Sequence, residues 1–599
     1  MKRLIILALL VMSAAFTACN DDNTGDLEDK TINVEQLEAI NGSGAVLKTI
    51  ELPEANASAE FKIVVRPADA TFRAEDICFK TDNGGEAQYV TFTLKHADGN
   101  TLTYTVADDG TFSGATPYVH KMTAEYTPTG IVSNSFTVTI AANGSGEGEG
   151  EGGNKESLKV SKVYIKLDDG FTRARDLDAK TSTLVGYRDD GSTFETQYKN
   201  DYREWISATI RIEGADGFDD LEESGTKIKG RGNTTWGWNK KPYNLKFDSK
   251  AKVLGMKKHK RWCLIANAID RTHLRNWLAY AISRQMTFDY AVKGEFAELY
   301  FINEDGSQDY RGLYFLTEHI KEDADARVPL TEQKESTTGL SGNDIGYLLE
   351  FDVNYDEPGK FLTTASRLPV NIKYPAQEDW EDAGNMAQYK IYKDYISAYI
   401  NDVDRLITTL PEGGDSSELW SKLDIESMAN FWIVFEAMSC REILWPKSIY
   451  FHKDAGGKLK AGPTWDFDYR TLNASDAQQW INHRNATVAN TTTQYWASKS
   501  GRTWWAQLIS KDKTFRDEVK RQWSSVYPKM QAIQQNEFDR MYELLKEADE
   551  RNATQWSQGS IGGNPNEDRN RSFEDAVNTL KNTFRTRIEW LNTQIGSWQ

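Results

Sequence analysis

The chain has 599 residues, 39% hydrophobic and 27% charged, with a formal net charge of -18; that length exceeds a single core and predicts roughly two to four globular domains. The acidic balance argues against a general nucleic-acid or anionic-membrane binder, because a negative surface gains nothing from counterion release. Four scattered cysteines (Cys19, Cys78, Cys263, Cys440) without a CxxC pair, and seven dispersed histidines, offer no disulfide scaffold, zinc knuckle or histidine cluster.

Residues 1–18 read as a lipoprotein signal peptide. MKR is a short positive start, LIILALLVMSAAF is an apolar run too short for an ordinary spanning helix, and FTAC ends at Cys19 after small residues. The resemblance to bacterial lipoprotein signals implies lipidation at Cys19; an ordinary secretory signal with an incidental cysteine is the other reading. Asn20, Asp21 and Asp22 open a polar tether over 19–30. By resemblance to lipoproteins of the Bacteroidetes, this acidic start implies an outer-membrane lipoprotein, facing the periplasm or the cell surface. No later stretch offers about 18 consecutive apolar residues, so one lipid anchor is the expected membrane attachment.

Residues 31–142 alternate in short β-rich runs, AEFKIVVRP, YVTFTLKH, LTYTV and SFTVTIA, broken by ADGN, DDG and TPTG turns. The spacing predicts an immunoglobulin-like β-sandwich, best suited to a spacer, with a glycan-binding face as the other possibility. NGSGEGEGEGGN, 143–154, has no apolar residue and reads as a solvated Gly/Glu linker.

Residues 155–599 begin with strands and finish with helices, an α+β pattern. SKVYIKLDD and ATIRIEG alternate as strands, TKIKGRGNTTWGWNKKPYNLKFD reads as strand, Gly-rich turn, strand, and RWCLIANAID precedes a helix, RTHLRNWLAYAISRQM, that Asp270 can N-cap. EFAELYFIN, DYRGLYFLTEHI and GYLLEFD add strands, predicting a mixed sheet with one prominent helix. Helices follow in YKIYKDYISAYINDVDRLITTL and, after Asp424, IESMANFWIVFEAMSC. In the last helix Ser572 and Asp575 form a capping box, and Val577, Leu580, Phe584, Ile588, Leu591 and Ile595 share an apolar face.

Two stretches carry chemistry. In GPTWDFDYR, Asp466 and Asp468 stand one residue apart among Trp465, Phe467 and Tyr469. Such a pair can chelate a hard divalent cation, and aromatic walls lower the local dielectric; it can equally be two solvated charges in a turn. It follows a predicted hairpin, SIYFHKDAGGKLKAGP, itself preceded by Glu442 and Lys447 in CREILWPKS. An acid, a short hairpin and a second acidic motif form the layout of a kinase catalytic core. GRGNTTWGWNKKPYNLKF offers Arg231, Lys240, Lys241 and Lys246 beside glycines that let backbone approach an anion; a twisted hairpin with surface lysines is the other reading. It is no P-loop, because GxxxxGK[ST] is missing.

Taken together, KGRGNTTW with KKPYNLKF, CLIANAIDRTHLRNWLAYAISR, RGLYFLTEHI, KLKAGPTWDFDY and LISKDKTFRDEVKRQW resemble the CotH family, the spore-coat protein H group of atypical kinases. The resemblance spans approximately Val160–Trp523 and implies a two-lobed kinase-like fold, ATP with Mg2+ or Mn2+, and phosphoryl transfer to a protein acceptor. It implies metal binding for Asp466, assisted by Asp468, phosphate contact for Arg231 and Lys241 with Lys246 as a further candidate, and a lysine-orienting or metal-ligating role for Glu318. Asp270, Arg275 and Asn276 match a patterned family stretch that can fix the helix against the sheet. Glu442 stands where the family carries an Asp and takes the catalytic acid position, while Lys447 and Ser448 stand near a family Asn; a lysine does not ligate a cation.

Other functions remain open on the sequence. A metal-bound DxD pair also suits a nucleotide-sugar glycosyltransferase, and two facing carboxylates suit a glycosidase. A non-catalytic surface adhesin or glycan-binding protein is favoured by the aromatic stretch Ser475–Trp505, where Trp480, Tyr495, Trp496, Trp504 and Trp505 can stack on sugars. That stretch lies where a kinase binds its acceptor.

Overall fold

The computed structural model describes residues 33–41, 44–52, 58–81, 89–108, 118–140, 158–168, 182–187, 193–198, 204–215, 217–232, 234–352, 358–444, 446–485, 503–557 and 564–598. The chain divides into two compact units, Met1–Glu147 and Gly148–Gln599. Cys19 lies outside the described residues. Among those described, no helix is long and apolar enough to cross a membrane.

The first unit is all β. One sheet orders β1 (Gln36–Ile40), β3 (Ser58–Arg66), β6 (Thr101–Asp108) and β5 (Val90–Asp98) side by side. The other orders β2 (Thr49–Leu52), β9 (Phe136–Ile140), β7 (Tyr118–Tyr126) and β4 (Ile77–Thr81), with β8 (Ile131–Val132) on β7. Period-2 alternation drives the packing: in β3, Phe61, Ile63 and Val65 point inward while Lys62 and Val64 are less buried. The inward rows of both sheets form one core, with Phe61 meeting Phe136 from the opposite sheet at 5.3 Å between ring centroids.

In the second unit the strands do not stay open as a mixed sheet. β10 (Ser161–Leu167), β13 (Ile206–Glu213), β14 (Leu221–Gly230), β15 (Tyr243–Val253), β16 (Met256–Ile265), β18 (Gln308–Glu318) and β17 (Gly294–Ile302) form a closed barrel. The last pairing, β10 parallel to β17, closes it; the other neighbours run antiparallel. Closure follows from alternation, since Val163, Ile210, Leu245, Leu264 and Phe301 fill an interior that an open sheet would leave wet. β11 (Ser182–Tyr187) and β12 (Thr193–Tyr198) make a separate antiparallel pair. A five-stranded sheet orders β20 (Lys360–Leu362), β21 (Pro369–Tyr374), β19 (Tyr347–Phe351), β22 (Ile449–Lys453) and β23 (Lys460–Ala461).

Eight α-helices are described: α1 (Arg275–Ser283), α2 (Gln377–Asp382), α3 (Met386–Thr409), α4 (Ser417–Lys422), α5 (Ile425–Ala437), α6 (Trp504–Lys511), α7 (Lys513–Gln555) and α8 (Phe573–Gly596). α1 starts later than its sequence pattern, at Arg275. Asp270 accepts from the backbone N–H of Thr272 at 3.0 Å and of Arg275 at 2.8 Å, so it closes a turn before the helix rather than sitting at its N-cap. Asp424 caps α5 by accepting from Ser427 N–H, and Ser572 caps α8 by accepting from Asp575 N–H at 3.1 Å. The apolar stripe of α8 is buried as its spacing predicts.

Candidate functional site

The hairpin β22–β23 delivers the DFD segment. Gly462, at φ +117, turns the chain out of β23 with the Phe288 ring 3.2 Å from where a Cβ would stand, so a larger residue would strain the backbone and press on that ring. Thr464 shares a hydrogen bond with the Ser283 hydroxyl at 2.7 Å, and Trp465 stacks on Tyr280 at 5.8 Å. Asp466 then adopts φ +68, a left-handed conformation that a short polar residue tolerates and that breaks the strand's alternation. Phe467 is buried against Phe435, and its N–H donates to Asn276 Oδ1 at 2.8 Å. Asn276, on α1, thereby fixes the peptide between the two acids. Asp468 is buried, and its carbonyl accepts from Asn566 at 2.8 Å.

The segment after α5 supplies the facing side. Glu442 opens a short 3-10 turn and is 7% exposed, yet its Oε2 has no hydrogen-bond partner. Lys447 N–H donates to the Glu442 carbonyl at 3.3 Å. Ser448, at φ +55, donates its N–H to Asp352 Oδ2 at 3.1 Å and its hydroxyl to Asp466 Oδ2 at 3.4 Å. Four carboxylates, Asp466, Glu442, Asp352 and Asp468, act electrostatically on Lys447; burial works against the lysine's charge, but their combined attraction raises its pKa. The acids feel the converse. Burial first, and then the neighbouring Asp466, push the carboxyls of Glu442 and Asp468 well above the ordinary range.

The barrel presents a basic outer face. Arg231 follows β14 with its guanidinium 5.3 Å from the Trp465 ring; burial opposes its charge, while Cys263, Asp466 and Tyr280 favour it. Register places Lys227, Lys246 and Arg261 in one row across β14, β15 and β16. Lys246 is lowered, first by burial and then by Arg261, Lys227, Lys260 and Lys321. His319, just past β18, is pushed well below its ordinary value by burial and by Arg261, Lys321 and Arg231.

The structure brings Glu442, Asp466 and Asp468 together and sets Arg231 beside Asp466. It does not bring the other sequence candidates to this group. Lys241 donates to the Trp236 carbonyl and lies 5.0 Å from that ring, and Lys246 stays in the basic row. Glu318 is buried against Arg327 at 2.8 Å and accepts from Tyr290 and from Lys293 N–H, each at 3.0 Å. Its cationic partner is thus an arginine and not a lysine. Sequence reasoning passed over Asp352 and the bridging role of Ser448; the acid closing GYLLEFD, on a strand adjacent to β22, was the available signal.

Asp270 and Arg275 form a different group. Arg275 pairs with Asp270 at 2.5 Å and Asp568 at 2.9 Å, and its Nε donates to the Thr471 carbonyl at 2.7 Å. Of the aromatic stretch, Trp504 and Trp505 are 2% and 4% exposed and packed in the core, closed to any sugar. Trp480 stacks on His483 at 4.1 Å; Tyr495 and Trp496 lie outside the described residues.

Among the described residues no three His, Cys, Asp or Glu side chains form a ready metal cage. The residues nevertheless fit a cation: acids crowd together, and the buried Glu442 Oε2 is unsatisfied. A Mg2+-type ion held by one or two carboxylates and by substrate phosphates needs no complete protein cage.

No curated protein matches the chain. Among solved structures it is similar to the GspB Siglec domain, at 11% identity over 28% of this chain and 94% of that one, with a TM-score of 0.15. It is also similar to the N-terminal Ig1-2 module of Drosophila Receptor Protein Tyrosine Phosphatase DLAR, at 10% identity over 32% of this chain and 97% of that one, with a TM-score of 0.12. Likeness at those TM-scores supports no conclusion. The family described as CotH kinase protein matches residues 228–591, more than half of the chain and every residue of the acidic group. The chain belongs to the CotH kinase family.

Proposed function

We propose that this protein is a CotH-type kinase that transfers the γ-phosphoryl group of ATP to a protein acceptor, displayed outside the cytoplasm by a lipid on Cys19. The observation that carries the reading is the convergence of Glu442, Asp466 and Asp468 around Lys447, with Arg231 beside Asp466. On this reading the barrel and the helical part act as the two lobes of a kinase, and the N-terminal unit is a spacer.

Asp466 and Asp468 are the residues that would hold Mg2+ or Mn2+, which supplies charge neutralisation on the transferred phosphoryl group. Arg231 contacts phosphate oxygens through a guanidinium suited to paired hydrogen bonds. Glu442 takes the proton of the acceptor hydroxyl as its oxygen bonds to phosphorus and ADP departs. Its raised carboxyl places that proton transfer closer to neutral pH than an ordinary glutamate would. The test is intact mass spectrometry of the full chain with ATP and Mg2+ or Mn2+, with and without a generic protein acceptor. Added phosphate that disappears in Asp466→Ala is expected; phosphate that persists in that variant overturns the assignment.

A further inference from the structure

The kinase reading leaves the chemistry of Lys447 unused. This lysine is half-buried and within electrostatic reach of Asp466, Glu442, Asp352 and Asp468, yet among the described residues it closes no ion pair with any of them. Its backbone is held from both sides, through its own N–H on the Glu442 carbonyl and through Ser448, which bridges Asp352 and Asp466. The backbone that carries the ammonium is thus fixed beside Glu442, Asp352 and Asp466, and no ion pair among the described residues takes up its charge. An independent observation marks the same place as short of positive charge: Glu442, 7% exposed, carries an unpartnered Oε2. A buried carboxylate oxygen without a donor is costly, and a nearby cation relieves it.

We propose that Lys447 is a built-in cation of this pocket, neutralising the acids and contacting nucleotide phosphate where a second divalent ion would otherwise be required. The inference rests on the kinase reading above and deepens it. Nucleoside triphosphate is then held between two protein cations, Lys447 and Arg231, before any metal arrives. Binding of ATP tolerates removal of divalent metal, while transfer still uses the ion at Asp466. A lysine is a compact, strongly hydrated charge with three donors, suited to phosphate oxygens and to carboxylates alike.

The experiment is calorimetry on the full chain, with ATP titrated in EDTA and again in Mg2+, and with Mn2+ titrated alone. Wild type is expected to bind ATP in EDTA within about tenfold of its affinity in Mg2+, and Lys447→Asn to lose at least about tenfold in EDTA and recover in Mg2+, the loss expected for a charge-assisted phosphate contact. Lys447→Asn should also bind Mn2+ alone more tightly than wild type, because the acids lose their resident cation. Lys447→Arg, which keeps the charge, should follow wild type in EDTA, and matched melting temperatures show that each variant is folded. Wild-type binding that appears only with Mg2+, or an unchanged Lys447→Asn, overturns the inference and leaves the kinase reading standing. ATP binding absent under every condition overturns both.

Discussion

Two groups of acids meet at the DFD segment, and their cations treat them differently. Asp270 and Asp568 share Arg275, which also ties down the Thr471 carbonyl; Asp270 further accepts from Thr272 and from the N–H of Arg275. Glu442, Asp466, Asp468 and Asp352 act together on Lys447, which among the described residues closes an ion pair with none of them; Ser448 donates to Asp352 and Asp466, and one Glu442 oxygen has no hydrogen-bond partner. The difference lies in the cation: Arg275 closes ion pairs with both acids of the first group, although burial still raises the Asp568 carboxyl, whereas among the described residues Lys447 closes none with the second. The pairing of the first group holds the second in place, because Arg275 and Asn276 are consecutive residues gripping the loop that carries Asp466 and Asp468.

The largest expected effect breaks the balanced group. Arg275→Ala strands Asp270 and Asp568 in the interior and should cost about 3–5 kcal/mol in denaturant unfolding. A loss below about 1 kcal/mol, the scale of an exposed pair, would erase the distinction between the groups. Neutralising single acids sharpens it by sign. Asp270→Asn should destabilise by roughly 2 kcal/mol, because charge-assisted bonds are lost; Asp468→Asn should leave stability unchanged or raise it by about 1 kcal/mol, because its charge is opposed by burial and by Asp466. Asn276→Ala removes the acceptor of Phe467 N–H and should cost about 1–2 kcal/mol while weakening ATP binding through the displaced loop.

The smallest effect concerns a buried group kept neutral. Burial, aided by Arg327, lowers His259 from 6.5 to about 4, and its Nδ1 accepts from Arg261 N–H at 2.9 Å. Between those values the unfolded chain binds the extra proton, so this contribution is present above about 6.5 and is lost as the pH falls toward about 4. The expected cost is about 1 kcal/mol between pH 7 and pH 5.5, reduced in His259→Gln; urea unfolding at the two pH values measures it.

Much of this was legible in the sequence because local chemistry set it. The α8 cap and stripe, the β22–β23 hairpin and the alternation of β3 are each decided within a few residues. Barrel closure was not legible, since it depends on β10 pairing with β17, more than a hundred residues away. The candidate site divides the same way. Asp466, Asp468 and Glu442 stood out through their motif context, whereas Asp352 follows a strand far upstream and is tied to Asp466 through Ser448. Lys241 and Glu318 look as suitable as Arg231 in sequence; only the fold shows that one is turned to Trp236 and the other to Arg327.

Calorimetric titration of ATP with Mg2+ into the full chain and into Asp466→Ala tests the central claim most directly, that the unbalanced acids form a nucleotide site. Wild type should bind, and the variant should lose at least about tenfold in affinity, a charge-assisted contact's worth, with its melting temperature lowered only by the strain of alanine at a left-handed position. Equal affinity in the two proteins would contradict the claim and make the unbalanced group, like the balanced one, a feature of the fold alone.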